Sequence, residues 1–170
     1  MVKKENNVIA LNGGAQYVTV EELKSRFTEA VNKLQESIDN DGEGEEINLS
    51  EKIDIDNYIQ VIEEINDYEE EKVFCINEEK LIPNLDLEYG DWYEEEIWQA
   101  MNDVLFDYLP DEYTEYWQTE GNIYIYTKRY KMDYCGQFHD TKYEHECGFG
   151  TWAYNDDDAI EKTEDMVVEL

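Results

Sequence analysis

From Leu81 to Thr127 the chain contains no lysine or arginine, although acidic and aromatic residues are mixed closely along this stretch. The wider segment 34–127 carries 29 acidic side chains and only three basic ones, Lys52, Lys72 and Lys80, which makes a net charge of −26. Carboxylates at this density repel one another, so folding must overcome that repulsion. The acidity of this segment constrains the fold and the function more than any other feature of the sequence.

The composition supplies enough apolar material for a folded core despite this charge. Of the 170 residues, 41% are hydrophobic and 14% are aromatic, which is more than disordered acidic segments contain. The formal net charge is −31, so the protein should repel nucleic acids and anionic membranes and attract basic proteins or cations. We expect a folded protein that does not bind nucleic acid or membranes directly.

The cysteine content and the hydropathy pattern indicate a cytoplasmic protein. The three cysteines, Cys75, Cys135 and Cys147, are too few and odd in number for a disulfide framework, and free thiols suit a reducing compartment. No apolar run reaches the roughly 20 residues of a membrane-spanning helix, and the N-terminus lacks a long apolar signal core. The expected location is the cytoplasm, which is the host cytoplasm if a phage encodes the protein.

Apolar residues at helical spacing predict three helices, near 20–38, 56–70 and 92–109. Thr19 and Glu22 form a capping box before the first helix, and Asp56 is the predicted cap of the second. Asp91 is the predicted cap of the third helix, which Pro110 ends. Each helix is expected to bury one apolar face.

Four strands are predicted at 72–77, 81–89, 122–134 and 143–154. The first two are joined by the short sequence EEK, which predicts a hairpin, and the last two form a long hairpin whose turn contains CGQFHD. Residues 155–170 are predicted to close the chain as a short helix with acids at its N-terminus, which suits the helix dipole.

This order of elements predicts an α+β fold. It has about three to four helices and an antiparallel sheet that includes the long C-terminal hairpin. A single domain is expected over 1–170, with an N-terminal helical part at about 18–70 and a C-terminal α+β part at about 72–170.

Two segments have the residue types of a metal site but not the spacing. Cys135, His139, His145 and Cys147 offer two thiols and two imidazoles within 13 residues, yet C-x3-H-x5-H-x-C matches no established zinc pattern. A core cysteine with histidines in turns is the favoured explanation. The acidic loop 39–46 resembles the start of a calcium loop but lacks its final glutamate. We expect no metal and no other cofactor.

The sequence contains no recognisable catalytic arrangement. It has no phosphate loop, no GxGxxG, no HExxH and no serine or cysteine beside a histidine in a known pattern. Paired carboxylates are inevitable among 44 acids, so they do not indicate acid–base catalysis. The basic cluster at Lys128, Arg129 and Lys131 lies among tyrosines and resembles a base-stacking surface. The net charge opposes this function, and we expect the cluster to pair with the protein's own acids. The protein is not expected to be an enzyme.

The acidic surface is therefore the candidate binding site. A net magnitude of about 2–8 is sufficient for the solubility of a small domain, far less than the −26 of residues 34–127. On the third helix, Glu96, Asp103 and Asp107 share the side opposite the apolar face, with spacings of ~10 Å and ~6 Å along the axis. The predicted partner-binding residues are Glu63, Glu64, Asp67, Glu69, Glu70, Glu71, Glu94, Glu95, Glu96, Asp103, Asp107, Asp111, Glu112 and Glu115.

In size, acidity and lack of a catalytic motif, the whole chain resembles phage and mobile-element proteins of the antirestriction and anti-CRISPR type. The resemblance is one of composition and identifies no specific family. It implies an inhibitor that imitates nucleic acid, because about 30 charges correspond to roughly 50 Å of duplex. The implied partner is a basic nucleic-acid-binding protein, such as a CRISPR effector or a restriction enzyme, whose DNA- or RNA-binding channel would be blocked.

Two other functions remain open at this point. An immunity-type inhibitor that neutralises a basic nuclease toxin uses the same electrostatics with a different partner. A metal-binding protein would use the cysteine–histidine segment or the acidic loop. Steep loss of partner binding with salt would favour either inhibitor, whereas tightly bound zinc or a calcium-driven change in fold would favour the metal protein.

Overall fold

The computed structural model describes residues 7–41, 48–83, 91–119, 121–132, 138–141 and 166–170. Within these ranges it contains five α-helices together with antiparallel and mixed sheets, so the predicted α+β class is confirmed. The chain forms two compact units, Met1–Tyr68 with Asn77–Pro110 and Glu69–Ile76 with Asp111–Leu170. No described helix combines the length and apolar composition needed to cross a membrane.

The first unit combines a two-stranded ribbon with the five helices. Its elements are β1 (Val8–Leu11), β2 (Gln16–Thr19), α1 (Val20–Asp41), α2 (Leu49–Lys52), α3 (Ile55–Asp67), α4 (Glu78–Leu81) and α5 (Asp91–Asp107). The ribbon is antiparallel, and helix α1 packs against both α3 and α5. The helix predicted near 92–109 therefore belongs to the same compact unit as the first two predicted helices.

The core of the first unit lies between these three long helices. Phe27 of α1 and Tyr58 of α3 are fully buried, with ring centroids 5.0 Å apart. Burial raises the pKa of the Tyr58 phenol well above its usual value. On α5 the buried residues include Ile97, Met101 and Leu105, which confirms the predicted apolar face.

The helix caps follow the sequence signals with one shift of register. Thr19 Oγ1 accepts a hydrogen bond of 3.0 Å from the backbone N–H of Glu22, so the predicted cap of α1 is confirmed. The prediction that Asp56 caps the second helix was wrong. Asp54 does so, because its Oδ1 accepts a 3.0 Å bond from the Asn57 N–H. Helix α3 also ends at Asp67, earlier than predicted.

The predicted hairpin at EEK was also wrong. Residues Glu78–Leu81 form the short helix α4, and the side chain of Asn77 caps it by accepting a 2.8 Å bond from the Glu79 N–H. The capping asparagine stops strand pairing at this point. Most of the strand predicted at 81–89 lies outside the described residues.

The second unit is built on a four-stranded mixed sheet with the order β4-β5-β3-β8. Its strands are β3 (Val73–Asn77), β4 (Tyr113–Thr119), β5 (Asn122–Thr127) and β8 (Val167–Glu169). A separate antiparallel ribbon consists of β6 (Tyr130–Met132) and β7 (Phe138–Asp140). Strands β4 and β5 are antiparallel, whereas β8 pairs in parallel with β3.

Two strand predictions in the second unit need correction, and a third lies partly outside the described residues. The strand predicted at 122–134 is two strands, because a turn at Lys128 and Arg129 separates β5 from β6. The described partner of β5 is β4, while the predicted partner 143–154 lies outside the described residues. The segment Phe138–Asp140 is a buried strand and not part of a turn.

The predicted C-terminal helix is also corrected over its described part. Val167 and Val168 belong to strand β8 and pair with Val73 and Phe74 of β3. Two consecutive β-branched residues suit a strand against the buried β3, and this tertiary pairing outweighs the helical pattern of the acids before it. Residues 142–165 lie outside the described part of the chain.

Candidate functional site

Helix α5 places three carboxylates on one rigid exposed surface. Its apolar residues turn inward, so Glu95, Glu96 and Asp103 are left exposed. Glu96 and Asp103 are seven residues apart, which places them about 10 Å apart along the helix axis. The spacing of these charges is therefore fixed by the helix.

These three carboxylates have no ion-pair partner among the residues that the structure describes. Gln99 Nε2 donates a 2.9 Å hydrogen bond to Asp103 Oδ1, which orients that carboxylate without neutralising it. No lysine or arginine occurs anywhere in α5. The negative charge of this surface is thus uncompensated locally, as the sequence predicted.

Asp107 departs from that expectation, because it has a counterion on another helix. Arg26 of α1 places Nη2 2.8 Å from Asp107 Oδ2 and donates from Nη1 to the Tyr108 hydroxyl at 3.0 Å. The hydrogen bond with Asp107 is the main cause of the raised pKa of Arg26. Asp107 anchors α5 to α1, and it is a weaker candidate for binding a partner than its neighbours on α5.

The acids of α3 differ in exposure. Glu63 and Asp67 are exposed, whereas Glu64 is partly buried. Gln60 Nε2 lies 3.4 Å from Glu64 Oε1, and Glu64 Oε2 has no hydrogen-bond partner within the described ranges. Glu94, at the start of the exposed surface of α5, is also partly buried. Glu63 and Asp67 are therefore more accessible to a partner than Glu64 and Glu94.

The C-terminal ends of the three long helices carry acids where basic residues are normally favoured. Asp39, Asp67 and Asp107 lie in the last turns of α1, α3 and α5, and none of these turns contains a basic residue. The backbone carbonyls make a helix C-terminus partly negative, so an acid there costs about 0.3–1 kcal/mol. Only Asp107 has a described ion pair that offsets this cost.

The remaining predicted partner-binding residues belong to the second unit. Glu69 and Glu70 are exposed before β3, and Asp111 and Glu112 are exposed before β4. Glu71 is partly buried. Glu115 is exposed on β4 itself. Glu70 Oε2 lies 3.6 Å from Lys72 Nζ, which is a weak surface ion pair.

Tyr113 and Tyr130 fix the backbone beside these acids. The Tyr113 hydroxyl accepts a 3.1 Å bond from the Lys72 N–H, and the Tyr130 hydroxyl donates a 2.6 Å bond to the Glu71 carbonyl. Burial raises the pKa of Tyr113, and the charges of Glu71 and Glu112 raise it further. Burial likewise raises the pKa of Tyr130 to about 12. Two buried tyrosines therefore hold the backbone at Glu71 and Lys72.

The basic cluster in the second unit has an internal function. Arg129 Nε and Nη2 both bind the Asp140 carboxylate, at 3.1 and 2.8 Å to Oδ2, and Asp140 is 3% exposed at its side chain. The hydrogen bond with Asp140 is the main cause of a raised pKa of Arg129. The expectation that this cluster pairs with the protein's own acids is thus confirmed for Arg129.

The structure describes one of the four metal-site candidates. His139 is buried in β7, while Cys135, His145 and Cys147 lie outside the described residues. Among the described residues no group of three or more histidine, cysteine and acidic side chains is placed to hold a metal ion. The zinc hypothesis therefore stays a prediction.

A shallow cleft of about 400 Å³ in the first unit was not foreseen from the sequence. It lies between α1 and the segment that joins α2 to α3, where Lys24 Nζ is 3.8 Å from Asp56 Oδ1. Lys52 also lines it, so the cleft holds two of the few cations of this unit. Its mixed charges make it a poorer site for a basic partner than the outer surface of α5.

Comparison with known proteins finds no family model, no curated protein and no solved structure that matches this chain.

Proposed function

We propose that this protein is an acidic inhibitor that imitates nucleic acid and blocks the basic DNA- or RNA-binding channel of a host defence nuclease. The observation that carries the proposal is the outer surface of α5, where Glu95, Glu96 and Asp103 are exposed on a rigid helix without an ion pair in the described structure. The proposed target is a CRISPR effector or a restriction enzyme in the host cytoplasm.

The physical basis is the similarity between a helix with outward carboxylates and a phosphate backbone. Nucleic-acid-binding channels use lysine and arginine to contact phosphates. This electrostatic attraction does not depend on the base sequence, and it supplies much of their affinity. Carboxylates held at fixed spacing can pair with the same cations. Because the helix already fixes the backbone at these positions, little backbone entropy is lost when the partner binds.

The arrangement of the acids favours a partner over simple solubility. Solubility requires a modest net charge, and it does not require acids at helix C-termini, where they destabilise the fold. Asp67, one of the predicted partner-binding residues, occupies such a position without a described ion pair. A basic partner would offset this repulsion, which gives a reason for an otherwise unfavourable placement.

The direct test of the proposal is capture of the target from a bacterial host lysate, followed by elution with a salt gradient and with added nucleic acid. The expected result is one nucleic-acid-handling protein that is released at moderate salt and displaced by DNA or guide RNA. Inhibition of its purified nuclease activity at one-to-one stoichiometry completes the test. Recovery of many basic proteins in low yield would show that the acidity is a generic surface property.

The same experiment distinguishes the proposed inhibitor from an immunity-type inhibitor. A protein that neutralises a nuclease toxin would capture a small basic toxin and not a defence nuclease. Since both inhibitors depend on the same charges, the identity of the captured nuclease decides between them.

A further inference from the structure

The β1–β2 ribbon is an uncharged surface on a protein with a net charge of −31. Fifteen consecutive residues, 6–20, contain no acidic or basic side chain, although 34% of the chain is charged. The ribbon comprises most of this segment. A gap of this length in so charged a sequence distinguishes the ribbon from the acidic surface of α5.

The ribbon buries one face and exposes the other. Ile9, Leu11 and Val18 are 4–6% exposed and form the inner face. On the outer face, the register pairs Val8 with Thr19 and Ala10 with Tyr17. Tyr17 is 69% exposed and Val8 39%, so two of the large hydrophobic side chains that the described structure exposes lie together here.

The ribbon is held firmly by the rest of the first unit. Its strands pack against α3 and α1, and the Asn12 N–H donates a 3.1 Å hydrogen bond to Asn66 Oδ1 of α3. The turn has Gly13 and Gly14 at positive φ, which glycine adopts without strain. The Tyr17 hydroxyl lies 3.9 Å from the position of a Cβ on Gly14, so the tyrosine extends along the turn. The exposed face is therefore preformed.

We propose that this outer face binds the same face of a second copy of the protein, as a symmetric dimer in which the two copies of Tyr17 cover Val8 and Ala10 of the opposite ribbon. Two copies repel each other wherever their acids meet, and the strands of the ribbon contain no acidic residue. A basic protein would find no carboxylate on the ribbon to pair with. A second copy presents a matching uncharged surface, as a two-fold interface requires.

The size of the ribbon predicts a weak dimer. Two four-residue strands cover an area roughly 14 Å long and 10 Å wide at normal strand dimensions. This area is well below the ~800 Å² per partner of a standard stable interface. Association should therefore depend on protein concentration and increase with salt, because salt screens the repulsion between the two acidic proteins.

The test is sedimentation equilibrium of the full chain over a range of concentrations, at ~0.1 M and ~1 M NaCl. The expected result is a monomer–dimer equilibrium that shifts toward the dimer at the higher salt. Tyr17→Asp should raise the dissociation constant roughly tenfold or more, since it removes a central aromatic contact. Ser37→Asp adds the same charge on the exposed surface of α1 and should leave dimerisation nearly unchanged.

Two results would overturn the inference. A wild-type protein that stays monomeric at high concentration in ~1 M NaCl excludes a second copy as the occupant of the ribbon. A dimer that Tyr17→Asp and Ser37→Asp affect equally excludes the ribbon as the interface, and Tyr17→Ala checks this result without an added charge. The proposed function is tested separately, because binding to a basic nuclease should weaken with salt whereas this dimer should strengthen.

Discussion

Helices α1 and α5 pack against each other and contain the same number of acids, but their outer surfaces differ. Each helix has six acidic residues, and α1 also has Lys24, Arg26 and Lys33, whereas α5 has no basic residue. The three bases of α1 all contact carboxylates, on Asp56, Asp107 and Glu29 respectively. One of these contacts extends to α5, and it reaches only the C-terminal acid.

This difference shows that two helices with equally many acids can differ in the bases that accompany them. Helix α1 is exposed and acidic, yet all three of its bases form ion pairs, one of them with Glu29 of the same helix. Helix α5 belongs to the same unit, and its Glu95, Glu96 and Asp103 lack such pairs in the described structure. The absence of bases on α5 is therefore a local property of one surface, which is the property a basic partner would recognise.

The largest expected effect concerns the buried faces, where the two helices should be equivalent. Leu23 of α1 and Leu105 of α5 are both 0% exposed. Leu23→Ala and Leu105→Ala should each lower the free energy of unfolding by about 3 kcal/mol, because each leaves a cavity in the core. Urea denaturation measures both. A loss in only one variant would mean that the two helices do not share a core.

Breaking the ion pair between α1 and α5 should cost less stability than breaking the Arg129–Asp140 pair of the second unit, and both losses should be smaller than those of the core variants. Asp140→Ala should cost about 2 kcal/mol, less than for a fully buried pair because the Arg129 side chain is 33% exposed. Asp107 and Arg26 are 57% and 43% exposed, so Asp107→Ala should cost less than about 1 kcal/mol. Thermal denaturation of the two variants measures the difference, and equal losses would contradict this ranking.

Asn102 provides a test of the inner face of α5, which is less apolar than that of α1. Its side chain is 1% exposed, and neither amide atom has a hydrogen-bond partner in the described part of the chain. Asn102→Leu should raise the free energy of unfolding by about 1 kcal/mol, because it removes an unsatisfied polar group while keeping the branched shape of the side chain. A destabilised variant would indicate that the amide has a partner, such as a buried water.

The smallest expected effect on stability comes from introducing a lysine into α5, which has no basic residue of its own. Gln99→Lys places an ammonium four residues before Asp103 and four after Glu95, so it should stabilise the helix by about 0.3–0.5 kcal/mol. The same change should weaken binding to the basic partner, because it neutralises part of the exposed surface. The control is Lys33→Gln, which removes the base that lies 3.5 Å from Glu29 on α1 and should leave partner binding unchanged.

Local signals in the sequence predicted the helices better than the strands. Thr19 marks the start of α1, and Pro110 follows the end of α5. Both signals succeed because capping and helix termination depend on neighbouring residues. Strand β8 could not be predicted in this way, since Val167 and Val168 become a strand only by pairing with residues about 90 positions earlier. The turn at Arg129 likewise depends on Asp140, with which Arg129 pairs.

The sequence predicts which acids of α5 are exposed, but not which of them has an ion-pair partner. Exposure of Glu95, Glu96 and Asp103 follows from the helical pattern of the apolar residues around them. The ion pair of Asp107 with Arg26 spans 81 positions and has no local signal. The uncharged ribbon was visible in the sequence as the segment 6–20, but its exposed face depends on the pairing of β1 with β2.

The most direct test of the assignment of the binding site to α5 is to reverse three charges on α5 or on α1 and to compare binding to the captured nuclease. Glu95, Glu96 and Asp103 of α5 are changed to lysine in one variant, and Glu29, Glu36 and Asp39 of α1 in the other, so both net charges become −25 instead of −31. We expect the α5 variant to lose affinity by roughly 100-fold or more and to have a shallower salt dependence, while the α1 variant changes little. Equal losses in two folded variants would show that only the total charge matters, and would contradict the assignment of the site to α5.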